Sequence, residues 1–210
     1  MIAIVDYGVG NLRSVQKALE RVGATAIVTS DPAVLDGAQG VVLPGVGAFG
    51  DGMAQLQARH LVGPVLHQVE RGKPLLGICL GMQLLFEESE EMGTHQGLGL
   101  LPGRVVRFPE GELKVPHIGW NQLQMVGGGA EMALLAGIAG GSHAYFVHSF
   151  YGVPEEPGDT LATTDYGLPF AAVVGRGRIF GAQFHPEKSQ DVGLRLLKNY
   201  AGLVSASADG

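Results

Sequence analysis

The residues with the clearest capacity for chemistry are Cys79 and a histidine–glutamate pair far downstream. Cys79 lies in Lys73-Pro74-Leu75-Leu76-Gly77-Ile78-Cys79-Leu80-Gly81-Met82-Gln83-Leu84-Leu85-Phe86. This reads as a short buried strand, Leu75 to Ile78, running into an apolar helix start. Gly77 and Gly81 flank the cysteine at two residues on either side, the spacing of a nucleophile elbow with sulfur in place of a serine oxygen. A sharp strand-to-helix turn brings backbone close to backbone, and glycine removes the Cβ that would clash. The same turn leaves the sulfur at a helix N-terminus, where free N–H groups and the positive dipole end favour thiolate. Those N–H groups, that of Leu80 first, also suit an oxyanion formed by attack on a carbonyl. A cysteine in an apolar run can equally be a small buried hydrophobe. The nucleophile reading therefore needs a base.

One is offered by Phe180-Gly181-Ala182-Gln183-Phe184-His185-Pro186-Glu187-Lys188. If this stretch is extended, residues two apart share a face, so Glu187 can fix the tautomer of a His185 imidazole acting as general base. Pro186 biases His185 toward extended backbone. The third piece is Leu43-Pro44-Gly45-Val46-Gly47-Ala48-Phe49, whose glycines allow backbone N–H groups to be re-aimed. In elbow hydrolases a second oxyanion donor comes from the loop after an earlier strand, which points to Gly45, Val46 and Gly47. An ordinary glycine-rich turn would read the same way.

Other chemistries fit less well. His143 and His148 are five apart and His60 and His67 seven apart, and neither pair has companions at the spacing of a zinc site. Gly8-Val9-Gly10 begins a dinucleotide fingerprint, but Arg13 stands where the third glycine belongs. The reading calls for no metal and no cofactor.

The elements that must position these groups alternate. Ile2 to Val5 reads as a buried strand, and Asn11 as the N-cap of a helix through Leu12, Val15, Leu19 and Val22 that Gly23 stops. Strands follow at Ala24 to Thr29 and Gly40 to Leu43, and helices from Gly50 to about Arg59 and Leu61 to Arg71. Short connections between such elements imply right-handed crossovers and a mostly parallel sheet flanked by helices, an α/β fold. The acidic run Glu87-Glu88-Ser89-Glu90-Glu91 reads as a solvated helix end. From Gly103 the pattern turns to short β-like runs that should pair antiparallel: Arg104 to Phe108, Leu113 to Ile118, Ala144 to Phe150, Leu161 to Thr164, Ala171 to Val174 and Arg178 to Phe184. Gly175-Arg176-Gly177 should close a hairpin. Gly127-Gly128-Gly129 and Gly140-Gly141 mark loops, and a last helix, Asp191 to about Leu203, precedes an end from Ser205 to Gly210 expected to fray.

Composition narrows the class. With 210 residues, 46% hydrophobic, 34 glycines and nothing like a linker, the whole of 1–210 is expected to form one domain. A net charge of −6 without a basic run argues against nucleic acid or an anionic membrane as partner. One cysteine excludes an intramolecular disulfide, and neither a signal peptide nor a bilayer-length apolar run is visible. A cytoplasmic enzyme is the expectation.

At these residues the chain resembles the class I, triad-type glutamine amidotransferases, with a flavodoxin-like sheet. The similarity also runs through Asp6-Tyr7-Gly8-Val9-Gly10-Asn11, Pro116-His117-Ile118-Gly119-Trp120-Asn121, Tyr145-Phe146-Val147-His148-Ser149 and His185-Pro186-Glu187-Lys188-Ser189. The Pro44-Gly45-Val46-Gly47 loop and the His117 to Asn121 segment resemble those members that serve histidine biosynthesis. The resemblance implies that Cys79, with His185 and Glu187, hydrolyses glutamine to glutamate and ammonia. Gln83, Tyr145, Val147, His148 and Ser149 would line the glutamine pocket. The ammonia would pass to a heterodimer partner, a (β/α)8-barrel cyclase making imidazole glycerol phosphate and aminoimidazole carboxamide ribonucleotide, with Asn11, Trp120, Asn121 and Lys188 at or near the interface. Trp120 could instead be a core residue. Gating by the partner is expected, the isolated chain being slow because a donor around Val46 is misaimed. The glutaminase subunit of another synthase, such as that for pyridoxal phosphate, would keep the same three residues, as would a stand-alone cysteine hydrolase. A non-catalytic module on this fold would have lost one of them.

Overall fold

The computed structural model describes residues 1–111, 113–126 and 128–206. The first half is built from strands β1 (Ile2–Val5), β2 (Ala26–Thr29), β3 (Gly40–Gly45) and β4 (Leu75–Cys79) with helices α1 (Leu12–Arg21), α2 (Pro32–Asp36), α3 (Phe49–Ala58), α4 (Val62–Glu70) and α5 (Leu80–Gln83) between or after them. Then come β5 (Phe86–Ser89), β6 (His95–Gln96), β7 (Leu101–Arg107), β8 (His117–Gln122), β9 (Gln124–Met125), β10 (His143–His148), β11 (Phe150–Pro154), β12 (Thr160–Asp165), β13 (Pro169–Arg176), β14 (Ile179–Ala182) and helix α6 (Gln190–Ala206).

Eight strands form the central sheet in the order β2-β1-β3-β4-β14-β13-β12-β9. The pairings β1–β2, β1–β3, β3–β4 and β4–β14 are parallel, and β14–β13, β13–β12 and β12–β9 antiparallel. All four residues of β1 are buried. Ile2 and Ile4 enter the core under α1 and α6, with Val15, Leu19, Leu196, Leu197 and Tyr200. Ala3 and Val5 point the other way, to Leu35, Phe49, Leu56, Leu61 and Val65. That is why the strand reads as an unbroken apolar run. The expected hairpin is present: β13 and β14 pair Arg176 with Ile179 around a turn in which Gly177 has φ +59°.

Several expectations are corrected. Asn11 occupies the N-cap position of α1, but its side chain makes no capping hydrogen bond. Helix α2 went unforeseen, although Asp31 caps it through the Ala33 N–H at 2.9 Å and Pro32 fills its first turn, where a missing N–H costs nothing. The acidic run is no solvated helix end. Helix α5 stops after four residues and the chain turns into β5, parallel to β7. Glu87, Glu90 and Glu91 accept the backbone N–H groups of Gly103, Arg107 and Phe49 at 3.1, 3.0 and 2.7 Å. The extra strands thus begin before Gly103. The expected strand from Leu113 starts only at His117, after Pro116, which has no N–H for a ladder. The run from Ala144 splits at Ser149 into β10, paired with β8, and β11, paired with β7. Helix α6 continues through Ser205 and Ala206, so fraying does not begin at Ser205. The rest of the expected frayed end, residues 207–210, and Gly127 of the glycine loop lie outside the described residues.

Candidate active site

Strands β1, β3, β4 and β14 run parallel, and their C-terminal ends deliver the loops that form the site, where open α/β sheets place ligands. Cys79 ends β4 with φ +55° and ψ −112°, left-handed backbone that a non-glycine residue adopts only under constraint. The flanking glycines supply the constraint. A Cβ on Gly77 would lie 2.6 Å from the carbonyl oxygen of Gly81, and one on Gly81 would run into the Leu43 carbonyl of β3. The elbow exists because two backbones meet where no side chain intervenes.

His185 follows β14 with φ −95° and ψ 99°, the extended backbone expected before Pro186. Glu187 is not in extended chain, however. Pro186–Lys188 is a 3-10 turn, and the turn brings Glu187 back to the ring rather than pleat periodicity. The His185 Nδ1 lies 2.8 Å from Glu187 Oε1, with both side chains at most 2% exposed. A carboxylate only accepts, so Nδ1 carries the hydrogen and Nε2 is directed elsewhere. Nε2 is buried without a hydrogen bond of ordinary geometry, as is Glu187 Oε2. Cys79 is the other side chain that bears on the His185 ring. Burial would depress the imidazolium, but interactions with the Cys79 and Glu187 side chains outweigh it and raise the His185 pKa to about 9.

Cys79 and His185 open into one cavity of about 390 Å³, lined also by Val46, Gly47, Leu80, Gln83, Glu91, Pro116, Val147, His148, Ser149 and Phe150. Of the residues expected at an oxyanion, Leu80, Val46 and Gly47 face this cavity. Gly45 is the buried last residue of β3, in register with Cys79. Gln83, Val147, His148 and Ser149 are brought together as expected. Tyr145 is not among the lining residues: its ring stands edge-on to Trp120 at 6.0 Å, and Lys188 Nζ lies 5.9 Å above it. Glu91, the only acidic residue among the described residues of the lining, was missed because it sits in what reads as a solvated run. Among the described residues no group of three or more His, Cys, Asp or Glu could hold a metal ion.

The residues expected at an interface lie near this end. Asn11 is exposed at the start of α1, and Lys188 is exposed on the 3-10 turn that α1 packs against. Trp120 is 47% exposed beside a 59% exposed Ile118 on the outward face of β8, so it is no core residue. The Asn121 amide is engaged within the chain: Nδ2 meets the Asp165 carbonyl at 2.8 Å and His117 Nε2 at 3.4 Å, and Oδ1 accepts from Gln122 N–H.

A strained cysteine on a strand-to-helix turn, sharing a cavity with a carboxylate-anchored imidazole, is the arrangement that elbow hydrolases of the triad type use. The chain belongs to the class I glutamine amidotransferase family, whose model matches residues 3–201. It is 56% identical over 97% of its length to imidazole glycerol phosphate synthase subunit HisH of Syntrophotalea carbinolica, covering 100% of that protein. With the subunit of the same name from Moorella thermoacetica it shares 57% identity, covering 97% of this chain and 95% of that one. Among solved structures, a glutamine amidotransferase superposes with a TM-score of 0.74 at 24% identity, covering 96% of this chain and 100% of that one. PurLQS from Thermotoga maritima gives 0.75 at 22%, covering 96% and 97%; at such identities the likeness concerns the fold alone.

Proposed function

We propose that this chain, one glutaminase domain over 1–210, is the glutaminase subunit of an imidazole glycerol phosphate synthase and works in the cytoplasm. The observation that carries the chemistry is the shared cavity of Cys79 and His185, with Glu187 behind the ring. Identity above half, over nearly the full length of the named subunits, supports the particular synthase. The Cys79 sulfur attacks the glutamine carboxamide carbon, and the oxygen becomes an oxyanion held by the N–H of Leu80 and one from the Gly45–Gly47 loop. His185, with its pKa raised to about 9 and so protonated at neutral pH, gives its proton to the departing nitrogen as the C–N bond breaks, and ammonia leaves. Water then attacks the γ-glutamyl thioester while His185 takes its proton, freeing glutamate and the thiolate. The Glu91 carboxylate suits the α-ammonium of the substrate.

Ammonia in water at neutral pH is nearly all ammonium, a poor nucleophile, so a closed route to a partner preserves its reactivity. That partner is a (β/α)8-barrel cyclase docked on the face carrying Asn11, Trp120, Asn121 and Lys188. Val46, 43% exposed, leaves the oxyanion loop free to be re-aimed by it. A missing oxyanion donor typically costs about 10²–10³-fold in rate, enough for control. The test is glutamate release with and without the barrel and its nucleotide substrate. Stimulation of that order is expected, and equal rates would remove the gating. Release that survives in Cys79→Ala would remove the catalytic assignment.

A further inference from the structure

Gln183 is fully buried and contacts the sulfur, although nothing in the sequence singles it out. Its Oε1 faces Gln83 Nε2 at 3.1 Å and its Nε2 faces Cys79 Sγ at 3.9 Å. The direction of this amide follows from one acceptor. The Phe150 carbonyl oxygen cannot donate, and it meets both Gln83 Nε2 and His148 Nδ1 at 2.8 Å. Each of those atoms must therefore bear hydrogen. With nitrogen on that side of Gln83, the Gln183 atom facing it is oxygen, and the hydrogens of Gln183 are left for the sulfur.

The same carbonyl orders a second branch. His148 carries hydrogen on Nδ1, so its bare Nε2 accepts from His117 Nδ1 at 3.4 Å, and the bare Nε2 of His117 accepts from Asn121. Burial lowers the His117 pKa to about 4 and, helped by the neighbouring His117 and His185, that of His148 to about 3. Both rings are thus neutral, as the alternation requires.

We propose that Gln183 is the fixed donor that favours the ionised form of the Cys79 nucleophile, with its direction set by the Phe150 carbonyl through Gln83. The competing contact of the sulfur is the Val147 carbonyl at 4.0 Å, which only an S–H can use. A neutral thiol turns to Val147, and an ionised sulfur turns away from that oxygen to the Gln183 N–H. The donor supplies no proton, so its part is distinct from that of His185. This rests on Cys79 being the nucleophile.

The test is alkylation of the full chain by iodoacetamide across pH. The titratable groups facing the sulfur are His185 and Tyr7, with Glu187 behind His185, His148 beside it and Glu91 on the same cavity. Gln183→Met keeps length without the N–H, and Gln183→Glu puts an acceptor there. In Gln183→Met the rate at mildly acidic pH, relative to the alkaline plateau, should fall about three- to ten-fold, and in Gln183→Glu at least as far. An unchanged ratio in both folded variants overturns the assignment. Should both unfold, the unmodified chain decides: the Gln183 side-chain amide resonances should shift over the pH range in which alkylation rises, and invariant resonances overturn it. Failure of the nucleophile reading looks different. There, glutamine would give unmodified Cys79 no protection from a glutamine-like electrophile.

Discussion

Cys79, His185 and Glu187, the proposed triad, form a set because each removes a freedom from the next. The elbow fixes the sulfur, and Glu187 fixes the tautomer of His185 at 2.8 Å. Replacing Glu187 by Gln keeps the shape but lets an amide nitrogen face Nδ1, so glutamate release with partner present should fall by about 10²-fold or more while cysteine alkylation persists. The histidines also set the pH range of stability, with opposite signs. His185 holds its proton up to about pH 9 when folded and to its ordinary value of 6.5 when unfolded, so it stabilises the fold below 6.5 and that contribution fades as pH rises through 9. His117 and His148, lowered to about 4 and about 3, stay neutral where the unfolded chain would protonate, so stability drains as pH falls below 6.5. Urea unfolding should therefore show a maximum near pH 6.5 that declines on both sides, and His148→Gln should flatten its acid side. Tyr7 tests the converse of satisfied burial. Its hydroxyl is buried without a partner among the described residues, so Tyr7→Phe should be neutral or stabilising by about 1 kcal/mol in the same measurement.

The elements owe their positions to close approaches and to stitches that local pattern hides. Gly81→Ala would drive a Cβ into the Leu43 carbonyl, forcing β3 and the elbow apart. A loss of about 3 kcal/mol or more is expected from urea unfolding, with the oxyanion loop after β3 displaced as well. Glu91 shows how an element changes a residue's meaning. Read along the chain it belongs to a solvated run, yet β5 carries it to the cavity, where its Oε2 also takes the first N–H of α3 at 2.7 Å. Glu91→Gln keeps an acceptor for that N–H but removes the charge. It should therefore raise the KM for glutamine about tenfold, with kcat nearly unchanged and folding stability preserved.

At the scale of the molecule, the cavity and the exposed face of β8 are adjacent: β8 follows the lining residue Pro116 and pairs with β10, whose Val147 and His148 also line the cavity. Trp120 touches Tyr145 edge-on and otherwise faces outward. Trp120→Ala should leave the isolated chain's unfolding midpoint and alkylation rate within error of the parent. Affinity for a barrel partner, measured by calorimetry, should fall about tenfold or more, as for a buried aromatic anchor.

The sequence by itself determined the parallel half of the fold and singled out Cys79, His185 and Glu187, which the structure brings together. Unbroken apolar strands, glycines spaced around Cys79 and the His-Pro-Glu run are local signals, each imposed by backbone sterics or by the company a nucleophile needs. It did not determine how Glu187 reaches His185, where the acidic run goes, that Glu91 lines the cavity or that Gln183 meets the Cys79 sulfur. Those depend on a 3-10 turn, on a parallel pairing of β5 with β7 and on one carbonyl, that of Phe150, to which distant segments are tied. Hydrogen-bond direction and through-space charge belong to contacts between segments remote in the chain, and only the assembled fold brings those segments together.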